Sequence, residues 1–257
     1  MSSNPTGLKK LSSPDSGTED KVYGVDWNQL VDTLNNVFVS PSKLNWDSLD
    51  GYWMSDHFNA GSTETGEIGE LGWQTTTGTI SQQSSEAGRP GIYRATTGTT
   101  SGNVANIVLP SFIHSSDKFE IRVAVRVPTV TSVKVKIGLT SLATDGDIGA
   151  SENGIFFHFD PSANANWRAV TVSAGTSTIT ATDISVSANT WYLLTIIRRT
   201  IARDGVNRVE FYVNNVLKAT HTSNISETSL DMAMVVETAT SAARTLDVDL
   251  FIARIWV

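Results

Sequence analysis

From about residue 48 onward, hydrophobic and polar positions alternate with a period of two. The segment FEIRVAVRV (119–127) places Phe119, Ile121, Val123, Val125 and Val127 on one face and Glu120, Arg122 and Arg126 on the other. That pattern belongs to a half-buried β-strand. Similar runs occur at 133–139, 154–159, 167–172, 190–199 and 232–237, separated by loops of Gly, Ser, Thr, Asn and Asp. Many short strands with turn residues between them predict an all-β sandwich or barrel. The clearest hairpin is RVEFYVNNVLKATHT (208–222), whose Asn214-Asn215 pair suits a two-residue turn with left-handed backbone. In the last strand, 246–257, Leu246, Val248, Leu250 and Ile252 alternate, and then Phe251, Ala253, Ile255 and Val257 take the opposite phase. Either a bulge resets the register or both faces are covered.

One segment has helical periodicity. In DWNQLVDTLNNVF (26–38), Asp26 is placed to cap the N-terminus with Gln29 three residues on, and Pro41 closes the segment. Trp27, Leu30, Leu34 and Val37 recur at a–d spacing, and Val31 and Phe38 widen the stripe. The stripe packs either on its own domain or on further copies of itself at an oligomer axis. Residues 1–20 carry too little apolar surface to offset their ordering entropy, which predicts a flexible arm. The expected division is therefore an attachment and oligomerisation region at 1–45 and a β-sandwich at 46–257.

Composition narrows the partners. The 257 residues hold 26 acidic and 19 basic side chains, for a formal net charge of -7 and a pI near 5.1. An acidic excess at 18% charged residues argues against nucleic acid, which is bound by clustered Lys and Arg. The absence of Cys excludes disulfides and thiolate metal sites. No apolar run approaches the roughly 18 residues of a spanning helix, and the first twenty residues lack an export signal, so neither membrane insertion nor standard export is expected.

The search for chemistry returns little that is catalytic. Glu64, Glu67 and Glu70 lie in a Gly-rich loop, Asp247 and Asp249 sit two apart on a strand, and no E-x-D-x-x-E glycosidase motif occurs. His57, His114, His158 and His221 are scattered without zinc-ligand spacing, and His158 reads as an ordinary polar-face residue. Asp160 and Asn164 in FDPSAN (159–164) share the spacing of a legume-lectin calcium loop, but His158 stands where that loop has Glu. Calcium prefers six to eight oxygens, and only Asp145, Asp147 and Glu152 in a separate loop would add to these two. No metal, cofactor or catalytic residue is expected. A glycan site needs aromatic faces beside hydrogen-bonding side chains. Trp73 and Trp167, with Asn164, Asn166 and Arg168, are the candidates, and Trp53 lies in a similar loop context. Trp191, at the head of an apolar strand, reads as core. Arg198, Arg199, Arg203 and Arg208 form the one dense basic group, suited to an acidic neighbouring subunit or to solvent.

Three stretches, 156–175, 188–225 and 245–257, carry a family resemblance. A Trp-led strand, a loop, a strand ending Phe211-Tyr212-Val213, a two-residue turn and a return strand before a final strand resemble concanavalin A-like and laminin G-like jelly rolls. With VYGVDWNQLVDTLN (22–35) and GSTETGEIGELGW (61–73) added, the arrangement resembles surface proteins of tailed bacteriophages: capsid decoration, head-fibre or tail-fibre components. That resemblance implies a non-enzymatic virion structural protein, assembled in the host cytoplasm, homotrimeric and bound to other virion proteins through Trp27, Leu30, Leu34, Val37 and Phe38. The competing expectation is a lectin-like adhesin that binds host or environmental glycans.

Overall fold

The computed structural model describes residues 21–22, 25–26, 52–58, 68–114, 118–200 and 207–256. The chain divides into two units, Met1–Gly51 and Tyr52–Val257. In the first, β1 (Lys21–Val22) pairs antiparallel with β2 (Val25–Asp26). The predicted helix at 26–38, with Trp27, Leu30, Leu34, Val37 and Phe38, lies outside the described residues apart from Asp26.

The second unit contains β3 (Tyr52–Asp56), β4 (Thr79–Gln83), β5 (Ile92–Thr96), β6 (Val104–His114), β7 (Lys118–Arg126), β8 (Val133–Thr140) and β9 (Gly154–Asp160). It continues with β10 (Asn164–Ser173), β11 (Thr176–Ser185), β12 (Trp191–Thr200), β13 (Asn207–Val213), β14 (Val216–His221), β15 (Ser229–Thr238) and β16 (Thr245–Trp256). All pairings are antiparallel, and there is no helix among the described residues. No described helix is long and apolar enough to cross a membrane. One sheet has the order β11-β10-β9-β8-β15-β6; the other runs β14-β13-β12-β7-β16-β5-β4, with β3 also paired to β16. Two such sheets, each with an apolar inner face, form the all-β sandwich that the alternation predicts.

The core lies between the sheets. Phe119, Ile121, Val123, Val125 and Val127 all point inward, as the period-two pattern requires. Aromatic rings bridge the layers: Phe157 of β9 meets Phe211 of β13 edge-on at 5.3 Å, and Trp167 of β10 meets Tyr192 of β12 at 5.9 Å. Rings buried this completely each contribute about 1.5–3 kcal/mol. Asn214 and Asn215 adopt φ of 51° and 65°, the turn that the hairpin pattern predicts. The ambiguity in the last strand resolves as a bulge between Val248 and Leu250. It turns Leu250 and Ile252 away from the core and brings Phe251 and Ala253 in.

Candidate functional site

The outer face of the six-stranded sheet is where polar side chains collect. Asn106, Lys134, Lys136, His158, Arg168 and Glu237 stand on it, between core-facing neighbours such as Val135, Phe157 and Val236. An outer sheet face is ordinarily wet. Here the segment 141–153 between β8 and β9 crosses it as a strap, and Lys136, His158, Asn106 and Glu237 are all buried.

The sheet holds the strap mainly through backbone groups. Asn106 Nδ2 donates to the Ala143 carbonyl at 2.8 Å, and the Gly146 amide donates to Glu237 Oε2 at 2.9 Å. At the far end, Glu152 turns inward. Its Oε1 meets Lys136 Nζ at 2.7 Å and Thr140 Oγ1 at 2.5 Å, and Oε2 accepts from the Gly149 amide at 2.8 Å. Such a buried pair holds when its remaining lone pairs are satisfied, as these are. The fit is close enough to require glycine. A Cβ on Gly146 would fall 2.6 Å from Glu237 Cβ, and one on Gly175, at the β10–β11 turn, 1.8 Å from the Ala150 carbonyl oxygen.

His158 is therefore no ordinary polar-face residue; it is 1% exposed. Arg168 Nη2 lies 2.5 Å from its Nδ1, and its Nε2 lies 2.8 Å from the Gly146 carbonyl. Guanidinium is always a donor, so Nδ1 must accept and Nε2 must carry the proton: the ring is neutral. Burial first, and then the charges of Arg168 and Lys136, push its pKa down to about 4.

Beyond the strap, at the rim of the same sheet, lies an open depression of about 410 Å³. Thr131, Ser132, Val133, Asp160, Pro161, Ser162 and Ala239 line it, drawn from the β7–β8, β9–β10 and β15–β16 connections. Its rim is braced by backbone contacts. The Ala239 amide donates to the Ser132 carbonyl at 3.0 Å, and Arg244 Nε donates to the Thr131 carbonyl at 2.8 Å. The backbone at Thr131 and Ser132 is thereby held in place, and both residues are exposed. Asp160 Oδ1 accepts from the Ser162 amide at 2.9 Å and from Ser162 Oγ at 2.7 Å. Its pKa lies below the ordinary carboxylate value: burial pushes it up, but the Ser162 bonds and the Arg168 charge outweigh that. A fixed carboxylate, several hydroxyls and a small apolar floor of Val133 and Pro161 can bind a polyol.

The site residues expected from sequence are distributed differently. Trp73 and Trp167 are fully buried and offer no face to a ligand. Trp73 sits edge-on to Phe251 at 4.8 Å and donates from Nε1 to Asp56 Oδ2 at 3.2 Å; Trp167 packs among Phe157, Phe159 and Tyr192. Asn164 and Asn166 hold the β10–β11 edge. Asn164 Oδ1 accepts from the Asn166 amide, and Asn166 Nδ2 donates to the Thr182 carbonyl. Asn164 is the cross-strand partner of Asp160, and the charge of Arg168 acts on Asp160; neither lines the depression. The Trp53 side chain lies outside the described residues.

Trp191, expected in the core, is half-exposed on the outer face of the larger sheet, and its neighbour Tyr192 points inward. The Arg89 and Arg126 guanidinium carbons lie 4.1 and 4.7 Å from its ring centroid. Both arginines are also ion-paired, Arg89 to Asp249 and Arg126 to Glu86 and Asp247. Arginines occupy both oxygens of Asp247 but only Oδ2 of Asp249, whose Oδ1 is buried without a partner and whose pKa burial raises above the ordinary carboxylate value; these are the strand acids considered for catalysis. The basic group disperses as well. Arg198 points inward at 1% exposure, Arg199 and Arg208 face Glu210, and Arg203 lies outside the described residues.

Among the described residues, Asp145, Asp147 and Glu237 place carboxylate oxygens within 4.8 Å of one another, close enough for a cation. The Lys134 ammonium already bridges Asp147 and Glu237, and its pKa is raised to about 12, because those two acids outweigh burial, which lowers it. A lysine held charged between two of the three acids supplies the positive charge that a metal would bring. Glu152, the third member of the loop acids considered for calcium, faces Lys136 instead.

Residues 88–249 match the family model described as SO2946-like, C-terminal domain. The chain belongs to this SO2946-like family. The crystal structure of protein SO2946, of unknown function, from Shewanella oneidensis MR-1 is similar at 18% identity and TM-score 0.58, over 85% of this chain and 95% of that one. The Emp47p carbohydrate recognition domain is similar at 11% identity and TM-score 0.55, over 80% and 96% of the two chains. Bacillus licheniformis β-glucanase follows at 14% identity and TM-score 0.51, over 80% and 99%. At these identities the likeness is one of fold, and it establishes the jelly-roll sandwich. No curated protein matches the sequence.

Proposed function

We propose that the SO2946-like domain of this chain is a carbohydrate-binding module without turnover, and that its ligand occupies the depression at Thr131–Val133, Asp160–Ser162 and Ala239. The observation that carries the reading is this depression. It is open, about 410 Å³ in volume, and rimmed by hydroxyls around a fixed carboxylate. That volume lies within the 300–1,000 Å³ common for ligand sites. Two structures similar in fold bear carbohydrate-directed names, a carbohydrate recognition domain and a β-glucanase. The strap supports the placement, since it covers the sheet face beside the depression with protein.

Asp247 gives both oxygens to arginines and Asp249 gives one to Arg89, on the other sheet from the depression, which favours binding over hydrolysis there. A glycan array tests the reading. Saturable binding is expected from the full chain and is expected to be lost in Ala239→Trp, whose indole fills the depression from an exposed position. Binding that survives this substitution contradicts the placement.

Display on a virion surface, as a homotrimer anchored by residues 1–45, is compatible with this module and would make it an adhesin. That role rests on the sequence resemblance at 22–35 and 61–73. Copy number per virion tests it, since capsid decoration implies hundreds of copies and a tail appendage a handful.

A further inference from the structure

We infer that the depression selects saccharides by charge: it accepts neutral and amino-bearing sugars and disfavours those carrying a carboxylate, with Asp160 as the discriminating residue. The inference rests on the glycan-binding reading and specifies its ligand class. Asp160 is the only charged side chain among the seven that line the depression. Its orientation is fixed, because Oδ1 is committed to the Ser162 amide and hydroxyl. Those two donors also favour the ionised form, so the carboxylate is negative at neutral pH.

The cations nearest this charge do not line the depression. Lys134, on the neighbouring strand β8, is bound between Asp147 and Glu237. Arg168 keeps its charge and helps hold Asp160 ionised, but it directs Nη2 to the neutral His158 at 2.5 Å and does not line the depression. Arg244, behind the rim, gives Nε to the Thr131 carbonyl and Nη1 to the Ala243 carbonyl. The hydroxyls of Thr131 and Ser132 can donate to or accept from a neutral sugar, Ser162 Oγ can accept from one while donating to Asp160, and an ammonium would gain the carboxylate as a partner. A uronic or sialic acid would bring a second negative charge against Asp160 with no cation among the lining residues. The formal net charge of -7 adds a long-range repulsion of the same sign.

The test is titration calorimetry of the full-length protein at neutral pH against matched probes: oligogalactosides, oligogalacturonides and chitosan oligosaccharides. The expected result is about tenfold tighter binding of the neutral or amino probe than of the carboxylate probe, a ratio that narrows in high salt and falls to within about twofold in Asp160→Asn. Asparagine keeps the oxygen that accepts from Ser162, and thermal melting verifies its fold. Equal wild-type affinity for neutral and acidic probes overturns the charge inference while leaving glycan binding in place, as does a ratio unchanged in Asp160→Asn. A wild-type ratio that does not change with salt overturns it too, and needs no variant. Absence of saturable binding to every sugar on a broad array overturns the glycan-binding reading itself.

Discussion

Lys136 Nζ and Glu152 Oε1 lie 2.7 Å apart with both side chains fully buried. Lys136 rises from the middle of β8, and Glu152 comes from the end of the strap that folds back over it. The pair therefore fixes how the six-stranded sheet is covered, and so where a ligand can reach it. Without the strap, Phe156, Val170 and Val172 would form an apolar patch on an outer sheet face. With it, they form a second small core together with Ile148.

Removing one partner of this pair leaves the other charged and buried. Glu152→Gln should destabilise the domain by about 3–5 kcal/mol, and the double substitution Lys136→Met, Glu152→Leu should recover most of that loss. Urea denaturation of the three proteins measures both. A loss below about 1 kcal/mol for Glu152→Gln would mean that the strap is not held by this contact.

His158 makes stability depend on pH. Its pKa is pushed down to about 4 in the folded protein, against an ordinary value of 6.5. Between those values the unfolded chain binds more protons than the folded one, so stability rises with pH. The contribution is fully present above pH 6.5 and is lost as pH falls towards 4, by about 3 kcal/mol in all. In His158→Gln this part of the pH dependence should disappear. Denaturation midpoints measured at half-unit steps across that interval check it.

Asp56 organises the approach to the sandwich. Its carboxylate accepts from the amides of Phe58, Glu70 and Leu71 and from Trp73 Nε1. Asp56→Ala would leave four buried or part-buried donors unpaired and should lower stability by about 3–5 kcal/mol. Loss of protection at the Glu70 and Leu71 amides, followed by hydrogen exchange, is the local readout.

The tryptophans should divide by position. Trp73→Ala and Trp167→Ala empty core sites and should each lose about 3–5 kcal/mol. Trp191→Ala removes a half-exposed ring and its cation–π contacts, for about 1 kcal/mol. Thermal unfolding of the three variants ranks them, and a Trp191 loss as large as the other two would contradict its placement on the outer face.

The strand pattern was readable in the sequence because alternation is a local property. Phe119 to Val127, the Asn214-Asn215 turn and the bulge near the end of the chain all follow from neighbours a few residues apart. The tryptophans divide by strand phase and local cover: Trp167 shares the core-facing phase of β10 with Ala169, and Trp73 is buried beside Phe58 and Phe251. Trp191 begins β12 on the polar face, and the signal in reach was the next residue: Tyr192, Leu194 and Ile196 share the inner face, which puts Trp191 outside. The strap was not legible at all. Lys136, His158 and Glu152 look like surface residues until 141–153 is folded over them, and that closure joins residues on β6, β8, β9, β10 and β15. Asp160 carries a calcium-like spacing in the sequence, whereas the depression it lines is completed by Thr131, Ser132 and Ala239, which are distant in the chain.

Where sugar sits on the domain is decided by amide chemical-shift mapping of the full-length protein against a saturating mixture of neutral cello- and manno-oligosaccharides. The perturbed amides are expected to cluster at Thr131, Ser132, Ser162 and Ala239 and to leave the strap and the Trp191 face unmoved. Perturbations centred on Trp191 and Arg89, or none at the depression while sugar binds, would contradict a glycan site in the depression.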